Sequence, residues 1–331
     1  MRAPEPGDGT GIYRVELPTS FPVGPVNSYL IEDDPLTLVD AGPNAATTLV
    51  ALEDGVAALG HKINEIELII VTHQHLDHIG LVGLLAEKTG AEVAALQELQ
   101  PWLASYDQSI RAQHRYMRET LLTHGVPRDI CLVVDAMNRR SSGWGAPVNV
   151  TIPLVPGQEL RLGTRTFTVL HRPGHSPSDT VFCDYDARVM IGGDHLLGHI
   201  SSNPVLTRPL DGREHRRPQA LATYLDSLGK TATEPIDVVY SGHGDPVHAH
   251  AELIKTRVEM HRRRCERLLE LIEARPRTAF ELARELWPDE AVRQVQLTIS
   301  EVLGHVDLLI NAGDVFELQG EGGQIEFLRS H

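Results

Sequence analysis

Between Val71 and Gly80 the chain reads Val71-Thr72-His73-Gln74-His75-Leu76-Asp77-His78-Ile79-Gly80, which puts three imidazoles and a carboxylate within six positions. Such side chains are a poor way to build a turn: none gives the backbone freedom of glycine, and protonated neighbours repel one another. A divalent cation reverses that penalty, because zinc accepts neutral imidazole nitrogen and carboxylate oxygen as ligands at roughly 2.0–2.2 Å. The competing explanation is a solvated histidine-rich loop, and the flanking elements weigh against it. Leu68-Ile69-Ile70-Val71 reads as a buried strand before the cluster, and residues 79–85 read as the first turns of a packed helix after it. The cluster therefore occupies a loop at the carboxyl end of a strand.

The pattern H-x-H-x-D-H-x-G after a buried strand resembles the signature of the metallo-β-lactamase-fold hydrolases. That resemblance implies three more ligands downstream, a His, a bridging Asp and a last His, each at a strand end. Candidates stand in that order. His175 lies in Arg172-Pro173-Gly174-His175-Ser176, Asp194 in Ile191-Gly192-Gly193-Asp194-His195, and His243 in Ser241-Gly242-His243-Gly244-Asp245, each after a strand-like run. Any one alone is an ordinary Gly-containing turn; the series is the signal.

Carried over position by position, the motif gives one metal to His73, His75 and His175 and a second to Asp77, His78 and His243, with Asp194 bridging both. The expected cofactor is two zinc ions, with iron or manganese as the alternatives. Two such ions about 3.5–4 Å apart can share a hydroxide, because coordination brings the pKa of water down to about 7. Asp77 is expected to orient this nucleophile and pass a proton. His195 is either an acid or substrate contact beside Asp194, or a histidine packed below the site. Asp40-Ala41-Gly42-Pro43 resembles a family motif whose Asp supports the ligands from behind, since a metal-bound imidazole usually donates its other N–H to a carboxylate. The plainer alternative is that Asp40 only ends a strand.

The elements that must position these residues can be read in order. Residues 12–17, 26–31 and 36–40 form an antiparallel meander, a helix spans 45–59, and another covers 81–89. Residues 101–123 read as one longer helix whose stripe is Leu103, Tyr106, Ile110, Met117 and Leu121. Its opposite side carries Arg111, His114, Arg115 and Arg118, a row that is either a solvated face or a holder for a substrate's phosphate or carboxylate. Residues 138–147 have loop composition. Short strands follow from 148 to 193, then a helix over 211–227 and a strand ending at Tyr240.

The fold class is α+β. The resemblance names it an αββα metallo-β-lactamase sandwich over residues 1–250, with a helical insertion at about 101–147. The remainder, 251–331, reads as helix, helix, helix, hairpin, and resembles a small winged-helix-like domain. Thr278-Ala279-Phe280-Glu281 is a capping box, and Gly313 stops the last helix. That helix shows Glu290, Glu301 and Asp307 against the single Arg293, too acidic for a helix that faces phosphates. A packing, dimerising or substrate-covering module is expected instead.

Bulk properties agree. A net charge of −15 over 331 residues argues against nonspecific nucleic-acid binding. No apolar run is long enough to span a bilayer, the first nine residues lack a signal peptide's apolar core, and three scattered cysteines make no disulfide framework, so a cytoplasmic protein is expected.

Departures from relatives narrow the function. Asp194 stands where the main class B β-lactamases carry a Cys ligand, His75 where flavodiiron proteins carry a Glu, and no Tyr follows Asp194 as in homoserine-lactone lactonases. The leading expectation is a dinuclear zinc hydrolase of a small-molecule thioester, ester or lactone, similar to the glyoxalase-II-like enzymes. A metal-dependent single-strand endoribonuclease is the alternative within hydrolases. An iron dioxygenase or a non-catalytic ligand sensor is the alternative outside them.

Overall fold

A computed structural model describes residues 10–212, 217–320 and 322–330; the leader, residues 1–9, lies outside the described residues. The first sheet runs β1 (Ile12–Leu17), β2 (Val26–Ile31), β3 (Thr37–Val39), β4 (Leu68–Ile70), β5 (Glu92–Leu96) and β6 (Ile152–Leu154) in that order. The expected meander is present as antiparallel β1, β2 and β3, and from β3 onward the strands are parallel. Parallel neighbours need crossovers, which helices supply. These are α1 (Ala46–Ala58), then α2 (Leu76–Ile79) with α3 (Val82–Thr89), then α4 (Gln100–Ala104), α5 (Tyr106–Thr123) and α6 (Arg128–Ser141).

The second sheet has the order β11 (Val238–Ser241), β10 (Val189–Gly193), β9 (Thr180–Asp184), β8 (Thr166–His171), β7 (Glu159–Arg161). Only the β10–β11 pair is parallel, and α7 (Ala220–Thr231) lies in its crossover. The sheets meet through Ile31, Val39 and Ile70 on one side and Phe167, Val169, Phe182 and Ile191 on the other. Outside them, α1 and α3 cover the first sheet and α7 covers the second. Both sheets are thus covered on both faces, which explains why every residue of β9 and β10 is buried. This is the αββα sandwich.

The C-terminal elements are α8 (His250–Ala274), β12 (Arg277–Thr278), α9 (Ala279–Leu286), α10 (Glu290–Arg293), α11 (Val295–Ala312) and the hairpin β13 (Val315–Gln319) with β14 (Ile325–Arg329). The capping box forms as expected: Glu281 N–H donates to Thr278 Oγ1 at 3.2 Å, and Thr278 N–H donates to Glu281 at 2.9 Å. Gly313 ends α11 with φ +80°.

Several expectations change. The helix expected over 101–123 breaks at Ser105 into α4 and α5, although its stripe is buried throughout. The expected loop at 138–147 is helical to Ser141. The helix expected from 211 starts at Ala220, and residues 213–216 of that expectation lie outside the described residues. Glu301 and Asp307, expected to be exposed, are buried because Arg264 pairs with the first and Arg217 with the second. Twelve of the eighteen residues of α11 are buried, so this helix has no free face for a duplex.

The chain segment beginning near residue 250 is not a free appendage. Ile254 of α8 packs in the core of the second sheet, while Leu268, Leu271 and Ile272 join α9 and α11. That second core also takes Met117 and Leu121 of α5 and Cys131 and Val134 of α6. The insertion and the C-terminal elements therefore share one core.

Candidate metal centre

All seven expected ligands sit just past the carboxyl ends of strands: His73, His75, Asp77 and His78 after β4, His175 after β8, Asp194 after β10, His243 after β11. The layered sheets bring these ends together. His75 Nδ1 lies 3.1 Å from His73 Nε2 and 2.9 Å from His175 Nε2, forming one group. His243 Nε2 lies 3.4 Å from Asp77 Oδ2, and His78 closes the second group. Asp194 stands between them: Oδ2 is 3.5 Å from His175 Nε2 and 3.4 Å from His243 Nε2, and Oδ1 is 3.3 Å from His78 Nε2.

The far side of each ring fixes its tautomer. His175 Nδ1–H donates to the Asn203 carbonyl at 2.8 Å and His243 Nδ1–H to the Pro25 carbonyl at 2.7 Å. His78 Nδ1–H donates to Asp40 Oδ2 at 2.7 Å. Thr72 Oγ1 donates to the same Asp40 oxygen at 2.7 Å and receives His73 Nδ1–H at 3.0 Å. Four histidines thus turn Nε2 toward the centre, the orientation that metal-bound imidazoles adopt. Asp40 bonds the His78 ring directly and reaches the His73 ring through Thr72. It does so from φ +55°, a left-handed conformation that Asp tolerates better than most residues.

Charge follows geometry. Burial, with the neighbouring imidazoles, drives His73 well below the usual histidine range and His75 to about 3, so both are neutral donors. Burial alone would do the same to His78 and His243. The carboxylates around them outweigh it, raising His78 well above its usual range and His243 to about 10. Burial favours protonated Asp77 and Asp194, yet the adjoining histidines hold both below the ordinary carboxylate range. The centre demands positive charge.

A cation is the group that fits. His78 Nε2, His243 Nε2 and Asp194 Oδ1 are buried without a hydrogen-bond partner, an arrangement too costly to leave unanswered. Gly242 closes the site so tightly that an added Cβ would lie 2.2 Å from Asp194 Oδ1 and 2.9 Å from His78 Cε1.

A cavity of about 320 Å³ opens onto His75, Asp77, His175 and Asp194. Its walls are mostly apolar, from Phe21, Trp102, Ile110, Met117, Leu197 and Leu297. Leu297 belongs to α11, so the C-terminal elements cover the centre. His195 is not on this wall: it is fully buried, its Nε2 lies 2.8 Å from Thr231 Oγ1, and burial lowers it to about 3. It supports the floor. Arg111, Arg115 and Arg118 face a second cavity, and His114 borders both.

Sequence reasoning missed three supports. Asp179 holds the His175 turn by accepting from Ser176 N–H and Oγ–H at 2.9 and 2.6 Å. Ser202 Oγ lies 2.9 Å from His175 Nδ1, and Asn203 supplies the carbonyl that fixes His175. The Ser-x-x-Asp spacing of residues 176–179 could have revealed the first; no local pattern marks the other two.

The chain is 31% identical over 316 residues to the probable metallo-hydrolase YqjP of Bacillus subtilis, covering 96% of this chain and 97% of that one. The hydroxyacylglutathione hydrolase GloC of Haemophilus influenzae is 24% identical over 173 residues, which is 52% of this chain and 66% of GloC. Among solved structures, the metallo-beta-lactamase family protein TTHA1429 from Thermus thermophilus aligns with a TM-score of 0.81 at 27% identity, covering 97% of this chain and 99% of that one. No helix among the described residues is long and apolar enough to cross a membrane. The family model of the metallo-beta-lactamase superfamily matches residues 21–243 and so takes in every residue that converges on this centre. The chain belongs to the metallo-beta-lactamase superfamily and is a metal-dependent hydrolase.

Proposed function

We propose that this protein hydrolyses a small-molecule thioester, ester or lactone, with thioesters first, at a centre holding two zinc ions. The observation that carries the reading is the place of Asp194, whose two oxygens face a three-histidine group on one side and His78 with His243 on the other. When bound, the ions supply an activated water and a Lewis acid for the substrate carbonyl. His73, His75, His78, Asp77, His175, Asp194 and His243 hold them. The apolar walls receive the acyl group and keep bulk water from the ester bond. Asp77, ionised and open to the cavity, takes the proton released as water adds to the carbonyl carbon and returns it to the leaving group. The likeness to GloC supports a thioester, since a hydroxyacylglutathione is one. The three cysteines are free thiols, which suits a cytoplasmic setting.

The test is elemental analysis of protein purified without added metal, followed by hydrolysis assays on acyl-coenzyme A, acyl-glutathione, aryl ester and lactone substrates. Two equivalents of zinc and chelator-sensitive turnover of a thioester are expected. Zinc-loaded protein that leaves the whole panel intact overturns the reading.

A further inference from the structure

We infer that the substrate is an acyl thioester whose thiol half carries phosphate groups, with the apolar acyl chain beside the metal centre and the phosphates in the arginine-lined groove between α5 and α6. The inference rests on the thioester reading above and adds the identity of the leaving group. Hydrolysis joins water oxygen to the carbonyl carbon, breaks the carbon–sulfur bond, and leaves a carboxylic acid and the phosphorylated thiol.

Two cavities adjoin on the helical insertion. The one at the metal centre is apolar, as described; the other, of about 460 Å³, is lined by Arg111, Arg115, Arg118 and Arg139. His114 and Asn138 belong to both walls, so the two cavities meet at these side chains, and the inferred substrate runs past them from one to the other. Arg111, Arg115 and Arg118 are spaced four and three apart and share one face of α5, a row about 10 Å long.

The charge of this groove runs against the rest of the molecule. The chain carries −15, yet the groove sets four guanidinium groups against Glu119 and Asp135. Asp135 is committed to Arg118 at 3.3 Å. Arg111, Arg115 and Arg139 have no carboxylate at ion-pair distance among the described residues. Several forked donors along one row exceed what a single carboxylate can use and match the oxygens of two or more phosphates.

The experiment gives one acyl group to three thiols: coenzyme A, glutathione, and N-acetylcysteamine, which bears no charge. With zinc-loaded full-length protein, KM for the coenzyme A ester should lie about tenfold or more below that for N-acetylcysteamine, and the gap should shrink as salt rises. The double variant Arg111→Gln/Arg115→Gln should close most of it. Arg161→Gln/Arg267→Gln, an equal loss of two charges at exposed positions on β7 and α8, should leave it open. Calorimetry with adenosine 3′,5′-bisphosphate gives a readout independent of turnover: wild-type protein binds and the double variant binds about tenfold more weakly or not at all. Equal KM values, or no binding of the bisphosphate, overturn the inference. If the bisphosphate binds through the arginines but no thioester is cleaved, the thioester reading fails, the substrate assignment falls with it, and only a phosphate site remains. If thioesters are cleaved without preference among thiols, the thioester reading stands and this inference fails.

Discussion

Asp40 shows how much of the centre depends on a residue that need not touch the metal. Its two oxygens receive Thr72 N–H at 2.9 Å, Thr72 Oγ1–H at 2.7 Å and His78 Nδ1–H at 2.7 Å. All three are buried donors, and the bonds orient His78 and, through Thr72, His73. Asparagine keeps the backbone conformation, since it tolerates φ +55° as Asp does. Its amide nitrogen, however, is a donor facing donors. Asp40→Asn should therefore fold, lose about 1–3 kcal/mol of stability, and bind zinc about 10–100-fold more weakly. Competition against a chromophoric chelator reads that affinity directly; an unchanged value would mean that Asp40 merely ends β3.

At the scale of elements, the loop after β10 carries information from the C-terminal helix into the centre. Asn203 Nδ2 donates to the Leu297 carbonyl at 3.1 Å and to Glu301 at 3.2 Å, both on α11, while its own carbonyl fixes His175. Leu206 N–H is tied to Ser300 of the same helix at 3.1 Å. Asn203→Ala keeps the carbonyl but cuts its tether, so His175 loses orientation. We expect zinc affinity to fall about tenfold with little change in melting temperature, measured by chelator competition and calorimetry. Equal affinity would refute the tether. This relay also marks where the sequence stops being legible. The histidine cluster, His175, Asp194 and His243 could be read because each follows an apolar run that must be a strand, and a strand's end is a fixed place in a layered sheet. Asn203 follows no such run. Its importance arises from where a long loop crosses α11, which no periodicity encodes. Glu301 and Asp307 escape the sequence reading for a related reason: helical spacing tells which residues share a face, but Arg264 and Arg217, which bury those acids, come from distant segments.

Three buried histidines stitch the second core, one where insertion and C-terminal elements meet and two between helices α8 and α11. His124, at the end of α5, stacks on Phe327 of β14 at 5.9 Å. His305 of α11 donates from Nδ1 to the Glu301 carbonyl at 2.6 Å, which leaves its Nε2 to accept from His261 Nδ1 of α8 at 3.0 Å. The His261, Glu301 and His305 cluster is thus closed by hydrogen bonds, with Arg264 paired to Glu301. Burial is the main cause that lowers all three histidines, His124 and His305 to about 3 and His261 to about 4. An unfolded chain, with histidine near 6.5, binds protons that the folded one refuses, so stability rises with pH. The contribution is complete above about 6.5 and drains away as pH falls toward the folded values. At pH 5 each histidine costs on the order of 2 kcal/mol. The histidines and carboxylates of the candidate centre titrate too, so the comparison belongs in metal-free protein and in slopes rather than levels. His305→Gln should lower the urea midpoint at pH 7.5, because its hydrogen bonds are imperfectly replaced, yet lose less stability than wild type between pH 7.5 and 5. Parallel slopes in the two proteins would show that His305 is not a neutral strut of this shared core.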